Sequence, residues 1–227
     1  MSRTSTAFLF DLDGTLIDSV YQHVLAWKEA LDAEGVELSV WRIHRKIGMS
    51  GGLFANILLR ETGLDITEER LERLRVRHAE AFNRYHARDA VRPLPGAREL
   101  LAYLTEQRMP WAIATSGRME TAAHNLAALG VDPAKVPVVT RDMVRHAKPD
   151  PDLFLAAAER LGVDIQRSLV IGDSIWDMLA AQRARALGVG LLSGGYGEDE
   201  LERAGAFRVY DDPADLLRHV DEVAARG

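Results

Sequence analysis

The sequence predicts an α/β fold: a Rossmann-like parallel sheet core with helices on both faces and an inserted α-helical cap domain. Three observations support this prediction. Short apolar runs without polar alternation recur along the chain, which is typical of strands buried on both faces. Stretches with helical spacing separate these runs, as in repeated strand–helix–strand units. Residues 19–90 break the alternation, because only helical spacing is found there.

The individual elements follow from this pattern. The first strand is predicted at residues 7–10, an Ala-Phe-Leu-Phe run that ends abruptly at an aspartate. Further strands are predicted at residues 111–114, 168–171 and 189–192, with a weaker one at 136–140. Helices are predicted between them at residues 97–107, 119–129, 151–161 and 175–187. This division assigns residues 1–18 and 91–227 to the Rossmann-like core and residues 19–90 to the helical cap domain.

The composition excludes several classes of function. The chain has 227 residues and a formal net charge of -6, and its basic residues form no stripe, so no nucleic-acid partner is expected. It contains no cysteine, which rules out disulfides, thiolate nucleophiles and zinc–thiolate sites. No apolar run reaches the roughly 20 residues that a membrane-spanning helix needs. We therefore expect a cytoplasmic protein without a membrane partner, as a monomer or small homo-oligomer.

Acidic side chains follow two of the predicted strands. Asp11 and Asp13 leave the first strand, and Gly14 permits a sharp turn that lets both carboxylates face one site. Asp173 and Asp177 follow a later strand and lie four residues apart at the start of a helix, near one of its faces. The carboxyl ends of parallel strands meet at one edge of a sheet, so we expect these carboxylates to converge. Such a cluster needs a cation, and its hard oxygen ligands favour Mg2+.

A second set of residues is suited to binding an anion. Thr115, Ser116, Gly117 and Arg118 follow the strand predicted at 111–114 and begin a helix, where backbone N–H groups and hydroxyls can hold a phosphate. Lys148 stands in a proline-flanked loop that can present its ammonium at a fixed point. Each of these motifs alone also fits an ordinary turn, helix cap or surface side chain. Their order along the chain is more specific than any one of them.

Taken together, the four motifs resemble the haloacid dehalogenase-like (HAD) superfamily, in the phosphatase branch with a small helical cap that also contains the beta-phosphoglucomutases. The resemblance covers the whole chain, because residues 19–90 lie where this branch carries its cap. The motifs, in order, are Asp11-x-Asp13-x-Thr15, Thr115, Lys148-Pro149 and Gly172-Asp173-x-x-x-Asp177.

The resemblance implies a role for each core residue. Asp11 would be the nucleophile that forms an aspartyl-phosphate, and Asp13 would be the general acid and then the base for water. Thr115 and Lys148 would bind the phosphoryl oxygens. Such a general acid must hold a proton, which predicts an environment that raises the pKa of Asp13. The implied metal site for Mg2+ comprises Asp11, the backbone carbonyl of Asp13, Asp173 and, mainly through water, Asp177.

Substrate contacts are expected from both parts of the chain. His23, on the first cap helix, is either such a contact or a histidine packed beside Trp27. The residues expected to contact substrate are Gly14, Ser116, Gly117, Arg118, His23, Gly48 and Ser50.

The function implied by the resemblance is Mg2+-dependent hydrolysis of a small phosphate monoester, such as phosphoglycolate or a sugar phosphate. The partner would then be a small phosphorylated metabolite. The presence of Asp13 argues against dehalogenation, because the dehalogenases of this family lack that second aspartate. A phosphosugar mutase, similar to beta-phosphoglucomutase, keeps the same motifs and stays an alternative. A non-catalytic binding protein is disfavoured, because every motif residue is present.

Overall fold

A computed structural model describes residues 6–49, 51–64, 67–88 and 91–224. Its strands, in chain order, are β1 (Ala7–Phe10), β2 (Ile17–Asp18), β3 (Arg92–Pro93), β4 (Trp111–Ala114), β5 (Val138–Val139), β6 (Ser168–Gly172), β7 (Leu187–Leu191) and β8 (Ala206–Tyr210). Six of these strands form one sheet in the order β5-β4-β1-β6-β7-β8. Every neighbouring pair in that sheet is parallel.

Helices occupy most of the chain between the strands. In chain order they are α1 (Val20–Ala33), α2 (Val40–His44), α3 (Gly51–Thr62), α4 (Glu68–Arg88), α5 (Ala97–Glu106), α6 (Met119–Leu129), α7 (Asp152–Leu161), α8 (Ile175–Ala184), α9 (Glu198–Arg203), α10 (Pro213–Arg218) and α11 (Val220–Ala224). Among the described residues, no helix has the length and apolar character needed to cross a bilayer.

The central strand β1 is buried on both faces. Its side chains alternate between two apolar clusters, as the period of a strand requires. Phe8 and Phe10 belong to the cluster that contains Leu100 of α5, whereas Leu9 belongs to the cluster that contains Phe154 of α7. Helices therefore cover both faces of the parallel sheet, and the predicted α/β, Rossmann-like fold class is confirmed.

Most of the predicted core elements form close to their expected bounds. β1, β4 and α6 have the predicted ends. The helix predicted at residues 175–187 was too long, because Arg185 adopts a left-handed backbone conformation (φ 62°) and ends α8 at Ala184. β7 consequently begins two residues earlier than predicted, and its predicted last residue lies in a short 3-10 turn. β8 was not predicted, because this edge strand is only partly buried and includes Arg208.

Helices α1 to α4 form a layer of their own, called the helical segment below. They share an apolar cluster that is distinct from the two clusters on the sheet faces. The chain reaches and leaves this segment through β2 and β3, which pair as a short antiparallel ribbon. This pairing was not predicted, since two-residue strands carry no periodic signal. The division of the chain into domains at residues 19–90 stays a prediction.

Candidate active site

The order of the strands brings three strand ends together at one edge of the sheet. β1 lies between β4 and β6, so the residues that follow these strands, Asp11, Thr115 and Asp173, become neighbours. The backbone N–H of Asp11 donates to the carbonyl of Ile171 at 2.8 Å, which continues the pairing to the edge of the site. The site therefore lies at the carboxyl ends of the strands, as predicted for ligands of open parallel sheets.

Three buried carboxylates and one buried lysine form the centre of the site. Asp11, Asp173 and Asp177 each offer an oxygen within 4.8 Å of the other two. Lys148 is fully buried and forms ion pairs with Asp11 and, at 2.8 Å, with Asp177. Burial alone would lower the pKa of Lys148, but the two carboxylates raise it above its usual value, so the lysine is charged. Three carboxylates around one ammonium leave an excess of negative charge.

Together with burial, that excess raises the pKa of two of the carboxylates. The pKa of Asp11 is raised to about 7, mainly by burial, with Lys148 opposing the rise and Asp177 adding to it. Burial, Asp177 and Asp11 raise the pKa of Asp173 well above its usual range. Buried carboxylates are costly without enough positive charge nearby, and their oxygens are the ligands that Mg2+ prefers. The three side chains therefore fit a divalent cation, whereas the carboxylate of Asp13 lies outside this group.

Neighbouring residues fix the orientation of two of these carboxylates. The hydroxyl of Thr15 donates to Oδ1 of Asp173 at 2.9 Å. Oδ2 of Asp177 accepts from the N–H and the hydroxyl of Ser174 at 3.2 and 2.5 Å, so it also caps the first turn of α8. Gly14 has a φ of 89°, and a Cβ there would overlap the carboxylate of Asp173. The structure thus places Gly14 against Asp173, and its contact with substrate stays a prediction.

Asp13 occupies a different environment from Asp11. Its Oδ1 accepts from the Ser19 hydroxyl at 2.6 Å and the Asn125 amide at 2.7 Å, and lies 3.3 Å from Nε2 of His23. Burial alone would raise the pKa of Asp13, but His23 and Ser19 outweigh it and hold that pKa below its usual value. The prediction of a raised pKa was wrong, because donors around a carboxylate stabilise its ionised form.

The loop after β4 lines the same cleft. Thr115 is buried, and its hydroxyl oxygen accepts from the N–H of Gly117 at 3.0 Å. The Ser116 hydroxyl donates to the carbonyl of Gly48 at 2.9 Å, which joins the core to the helical segment. Arg118 lines the cleft near its rim and contacts an acidic neighbour. These predicted residues are therefore brought together, although the hydroxyl of Ser116 and the N–H of Gly117 already have partners.

A cleft of about 680 Å³ lies between this sheet edge and the helical segment. Asp11 and Asp13 line its core side, and Trp27 and Phe54 give it an aromatic wall on the helical segment. Polar side chains complete the lining, namely Lys46, Glu72, Arg75, Glu80, Asn83, Glu120, Arg141 and Asp142. The cleft can therefore hold a leaving group larger than the phosphate itself, with both apolar and polar contacts.

Two of the substrate contacts predicted on the helical segment line this cleft. His23 both approaches Asp13 and stacks on Phe82, with 4.0 Å between the ring centroids, and its contact with substrate stays a prediction. Gly48 has a φ of 90°, and its carbonyl holds Ser116. Ser50, the third prediction, lies outside the described residues.

Two residues that hold Asp13 were not predicted. Asn125 is buried on the face of α6 that otherwise carries Ala122, Leu126 and Leu129. A single amide on an apolar helix face is a signal that it has a buried polar partner. Ser19 directly precedes α1, where a serine reads as an ordinary helix cap, so its sequence context conceals its contact with Asp13.

A family model described as a haloacid dehalogenase-like hydrolase matches residues 6–185. The chain belongs to the haloacid dehalogenase-like hydrolases. The matched range includes the three clustered carboxylates, Lys148 and Asp13, so the family match and the site geometry concern the same residues. The resemblance noted in the sequence is confirmed.

The curated proteins that this chain resembles include named phosphatases. The chain is 35% identical over 171 residues to hexitol phosphatase A of Escherichia coli, a match that covers 74% of each protein. It is 31% identical over 221 residues to N-acetylmuramic acid 6-phosphate phosphatase of Pseudomonas aeruginosa, covering 95% of this chain and 94% of the relative. The chain is therefore a phosphatase.

Solved structures agree with the haloacid dehalogenase-like fold. A hydrolase from Pseudomonas syringae superposes with a TM-score of 0.94 at 62% sequence identity, over 96% of this chain and 99% of that one. The beta-phosphoglucomutase of Clostridium difficile superposes with a TM-score of 0.82 at 22% identity, over 98% of both chains, and shares the fold.

Proposed function

We propose that this phosphatase hydrolyses a small phosphate monoester in a Mg2+-dependent reaction, through an aspartyl-phosphate on Asp11. The observation that supports this most directly is the grouping of Asp11 with Asp173, Asp177 and Lys148 at the cleft. A carboxylate and a phosphate ester repel each other, so attack requires positive charge at the site. When bound, Mg2+ would be held by the three aspartates and would supply that charge.

The side chains divide the reaction into two displacements. An oxygen of Asp11 attacks phosphorus as the ester P–O bond breaks, and Asp13 gives its proton to the leaving oxygen. Water then attacks the phosphoryl group, Asp13 takes a proton from it, and the P–O bond to Asp11 breaks, which releases inorganic phosphate. Lys148 and Thr115 would hold the phosphoryl oxygens during both steps.

The low pKa of Asp13 is compatible with this role. In the protein alone, its donors favour the carboxylate. A phosphate ester placed beside Asp11 would bring negative charge close to Asp13, and a like charge raises the pKa of a carboxyl group. Substrate binding would therefore favour protonation of Asp13, which is the acid that the leaving group needs.

The substrate class we propose is a phosphorylated sugar or polyol. The cleft pairs the rings of Trp27 and Phe54 with many polar side chains, a combination that suits the carbon faces and hydroxyls of a sugar. The two named relatives act, by their names, on a hexitol phosphate and on an amino-sugar phosphate. Phosphoglycolate, the smaller candidate, would fill little of the cleft.

The helical segment is proposed to act as a cap that closes over the substrate. It provides one wall of the cleft, whereas Asp11 and Asp13 lie on the other side. Closure would exclude bulk water before attack. A cytoplasmic location and a monomeric or small oligomeric state stay predictions.

A phosphate-release screen tests this proposal. The purified protein is assayed against phosphorylated sugars, polyols and phosphoglycolate, with Mg2+ or with excess chelator. We expect inorganic phosphate from a sugar or polyol phosphate only with Mg2+, and inhibition by Ca2+, whose looser coordination would misplace Asp11. Full turnover in chelator would contradict the metal requirement. Conversion of a hexose 1-phosphate to its 6-phosphate without phosphate release would instead identify a mutase.

A further inference from the structure

Two histidines and two aromatic rings form a stack on the helical segment beside Asp13. His23 and Trp27 are four residues apart on α1, and His78 and Phe82 are four apart on α4, so each pair shares one helix face. His23 stacks on Phe82 with 4.0 Å between ring centroids, and His78 stacks on Trp27 at 4.3 Å. The two helices thus hold both imidazoles in fixed planes.

Hydrogen-bond distances continue from this stack to Asp13. Nε2 of His23 lies 3.3 Å from Oδ1 of Asp13, and Nδ1 of His23 lies 3.1 Å from Nε2 of His78. An ionised carboxylate requires a donor, so Nε2 of His23 carries the proton. A neutral His23 then has a lone pair at Nδ1, which an N–H at Nε2 of His78 satisfies. Burial lowers the pKa of His78 well below its usual value, in agreement with a neutral ring.

We propose that His78 is a positioning residue that fixes the tautomer of His23, so that His23 holds Oδ1 of Asp13 and leaves Oδ2 for the proton of the leaving group. This inference rests on the proposed role of Asp13 as general acid. Ser19 and Asn125 donate to the same Oδ1. Two hydrogen bonds and the nearby imidazole of His23 on one oxygen favour the other oxygen as the position of the transferable proton.

The location of Oδ2 is consistent with that assignment. It lies on the side of Gly117, in the loop after β4 that lines the cleft. Without an N–H from His78, a neutral His23 can place its proton on Nδ1. The lone pair of Nε2 then faces the carboxylate of Asp13 and repels it. The acid would lose its orientation while Asp11 and the metal ligands stay unchanged.

Two esters whose leaving groups differ in basicity distinguish a role of His78 in general-acid catalysis from a role in packing or sugar binding. Phenyl phosphate has a poor leaving group that needs a proton, whereas 4-nitrophenyl phosphate has a good one that does not. Neither ester has sugar hydroxyls, so a direct contact between His78 and a sugar cannot affect the ratio of kcat/KM for phenyl phosphate to kcat/KM for 4-nitrophenyl phosphate. The measurement is kcat/KM for both esters, because it reports the steps through release of the phenol. The two variants are His78→Phe, which keeps a stacking ring, and His78→Gln, which keeps an N–H.

The expected result for His78→Phe is a loss of kcat/KM that is larger for phenyl phosphate than for 4-nitrophenyl phosphate. General-acid catalysis contributes about 10²-fold to 10⁴-fold, so His78→Phe should lower kcat/KM for phenyl phosphate by about tenfold or more relative to 4-nitrophenyl phosphate. His78→Gln should keep the wild-type ratio. His86→Phe is the matched control, since it alters a histidine two turns further along α4, and it should also keep that ratio. Adding His78→Phe to Asp13→Asn should change the ratio no further.

Two results would overturn the inference. An equal loss for both esters in His78→Phe would assign His78 to packing alone. Wild-type kcat/KM for both esters in that variant would show that His23 needs no partner. A wild-type ratio in Asp13→Asn would instead refute the proposed general acid itself, so the two failures are distinguishable. If His78→Phe does not fold, His78→Gln provides the test. If it lowers kcat/KM for phenyl phosphate relative to 4-nitrophenyl phosphate as strongly as Asp13→Asn does, the role of the N–H is also refuted.

Discussion

The pKa of Asp11 connects the chemistry of the site with the stability of the protein. It is raised from 3.8 to about 7, mainly by burial. In this range the folded protein holds a proton that the unfolded chain has released. The contribution of Asp11 to the free energy of unfolding therefore falls as pH rises from about 4 to about 7. Below that window the carboxyl is neutral in both states and costs nothing.

Asp11→Asn tests both the nucleophilic role of Asp11 and the effect of its raised pKa on stability. The amide has nearly the same shape but cannot attack phosphorus, so phosphate release should fall to background. In excess chelator its Tm at pH 7.5 should exceed that of wild type by about 3 °C or more, since one kcal/mol is worth about 2–4 °C in a domain of this size. At pH 5 the difference should shrink, because wild-type Asp11 is then protonated.

Asp132→Asn is the matched control for that variant. Asp132 lies on the surface, about half exposed, beside Lys135. It should keep full phosphate release and shift the Tm equally at both pH values. Wild-type turnover in Asp11→Asn would contradict an aspartyl-phosphate on this residue. A Tm advantage that is larger at pH 5 than at pH 7.5 would contradict the raised pKa.

Lys148 is the buried counterion of the site, and its removal should be costly. Lys148→Met leaves Asp11 and Asp177 without their ammonium partner. Breaking a buried pair costs about 3–5 kcal/mol, so we expect a large loss of Tm in chelator, with partial recovery in Mg2+. Phosphate release should fall even with Mg2+ present. The measurements are thermal unfolding and phosphate release under both conditions.

Lys135→Met provides the comparison. Lys135 is 81% exposed and pairs with a surface aspartate, a kind of pair that contributes about 0–1 kcal/mol. It should change the Tm little. Equal Tm losses in the two lysine variants would show that the buried lysine does not balance the carboxylates.

At the scale of secondary-structure elements, the end of α2 forms a group of polar contacts between the helical segment and the core. The carbonyl of Arg45 accepts from Nε1 of Trp176 at 3.3 Å and from the hydroxyl of Tyr196 at 3.0 Å. The guanidinium of Arg45 lies 4.1 Å from the centroid of the Tyr196 ring and forms an ion pair with Glu200 of α9. His44 adds a contact with a carbonyl of the core at 2.8 Å. These contacts hold the helical segment against the core.

Arg45→Ala should weaken closure without touching the chemistry. It removes the ion pair with Glu200 and the contact with the Tyr196 ring, together worth about 1–2 kcal/mol. We expect a KM raised several-fold for a sugar phosphate and faster amide hydrogen exchange in α2. Arg203→Ala is the control, because Arg203 lies on α9, as Glu200 does, but forms its ion pair at the surface. Unchanged exchange in Arg45→Ala would show that closure depends on other contacts.

The same contacts explain what the sequence could and could not predict. β1 and β4 were predicted because a buried central strand is a continuous apolar run. The core motifs were predicted because they stand at strand ends, where topology alone brings them together. The contact of Asn125 with Asp13 depends on how α6 packs beside the loop after β1. The contacts of Arg45 could not be predicted either, because they depend on how the helical segment lies against the core. Local sequence carries no information about that relative placement, and β8, at the sheet edge, lacks a periodic signal.

At the scale of the whole molecule, the helical segment and the sheet have different apolar clusters and are joined by little covalent structure, with Trp176 of α8 packed against the cluster of the helical segment. The helical segment has its own apolar cluster, and the sheet has one on each face. Only the ribbon of β2 and β3 carries the chain between them. A short ribbon resists bending less than a packed core does, so we expect the helical segment to move as a body while these clusters stay intact.

A pair of spin labels can detect this motion. The chain has no cysteine, so labels attach only where one is introduced. Glu69→Cys on α4 and Lys135→Cys in the core are suitable sites, because their side chains are 87% and 81% exposed. We expect a broad distance distribution in the free protein that narrows with Mg2+ and phosphate, since ligand favours the closed state.

The control pair lies entirely in the core. Lys135→Cys and Arg203→Cys join two exposed positions, the latter 80% exposed, that are attached to the same sheet. Their distance distribution should be narrow and unaffected by ligand. A distribution between Glu69→Cys and Lys135→Cys that is equally narrow, and equally insensitive to Mg2+ and phosphate, would show that the two parts form one rigid body. Substrate would then have to enter an already closed cleft, and the difference in KM expected for Arg45→Ala would lose its physical basis.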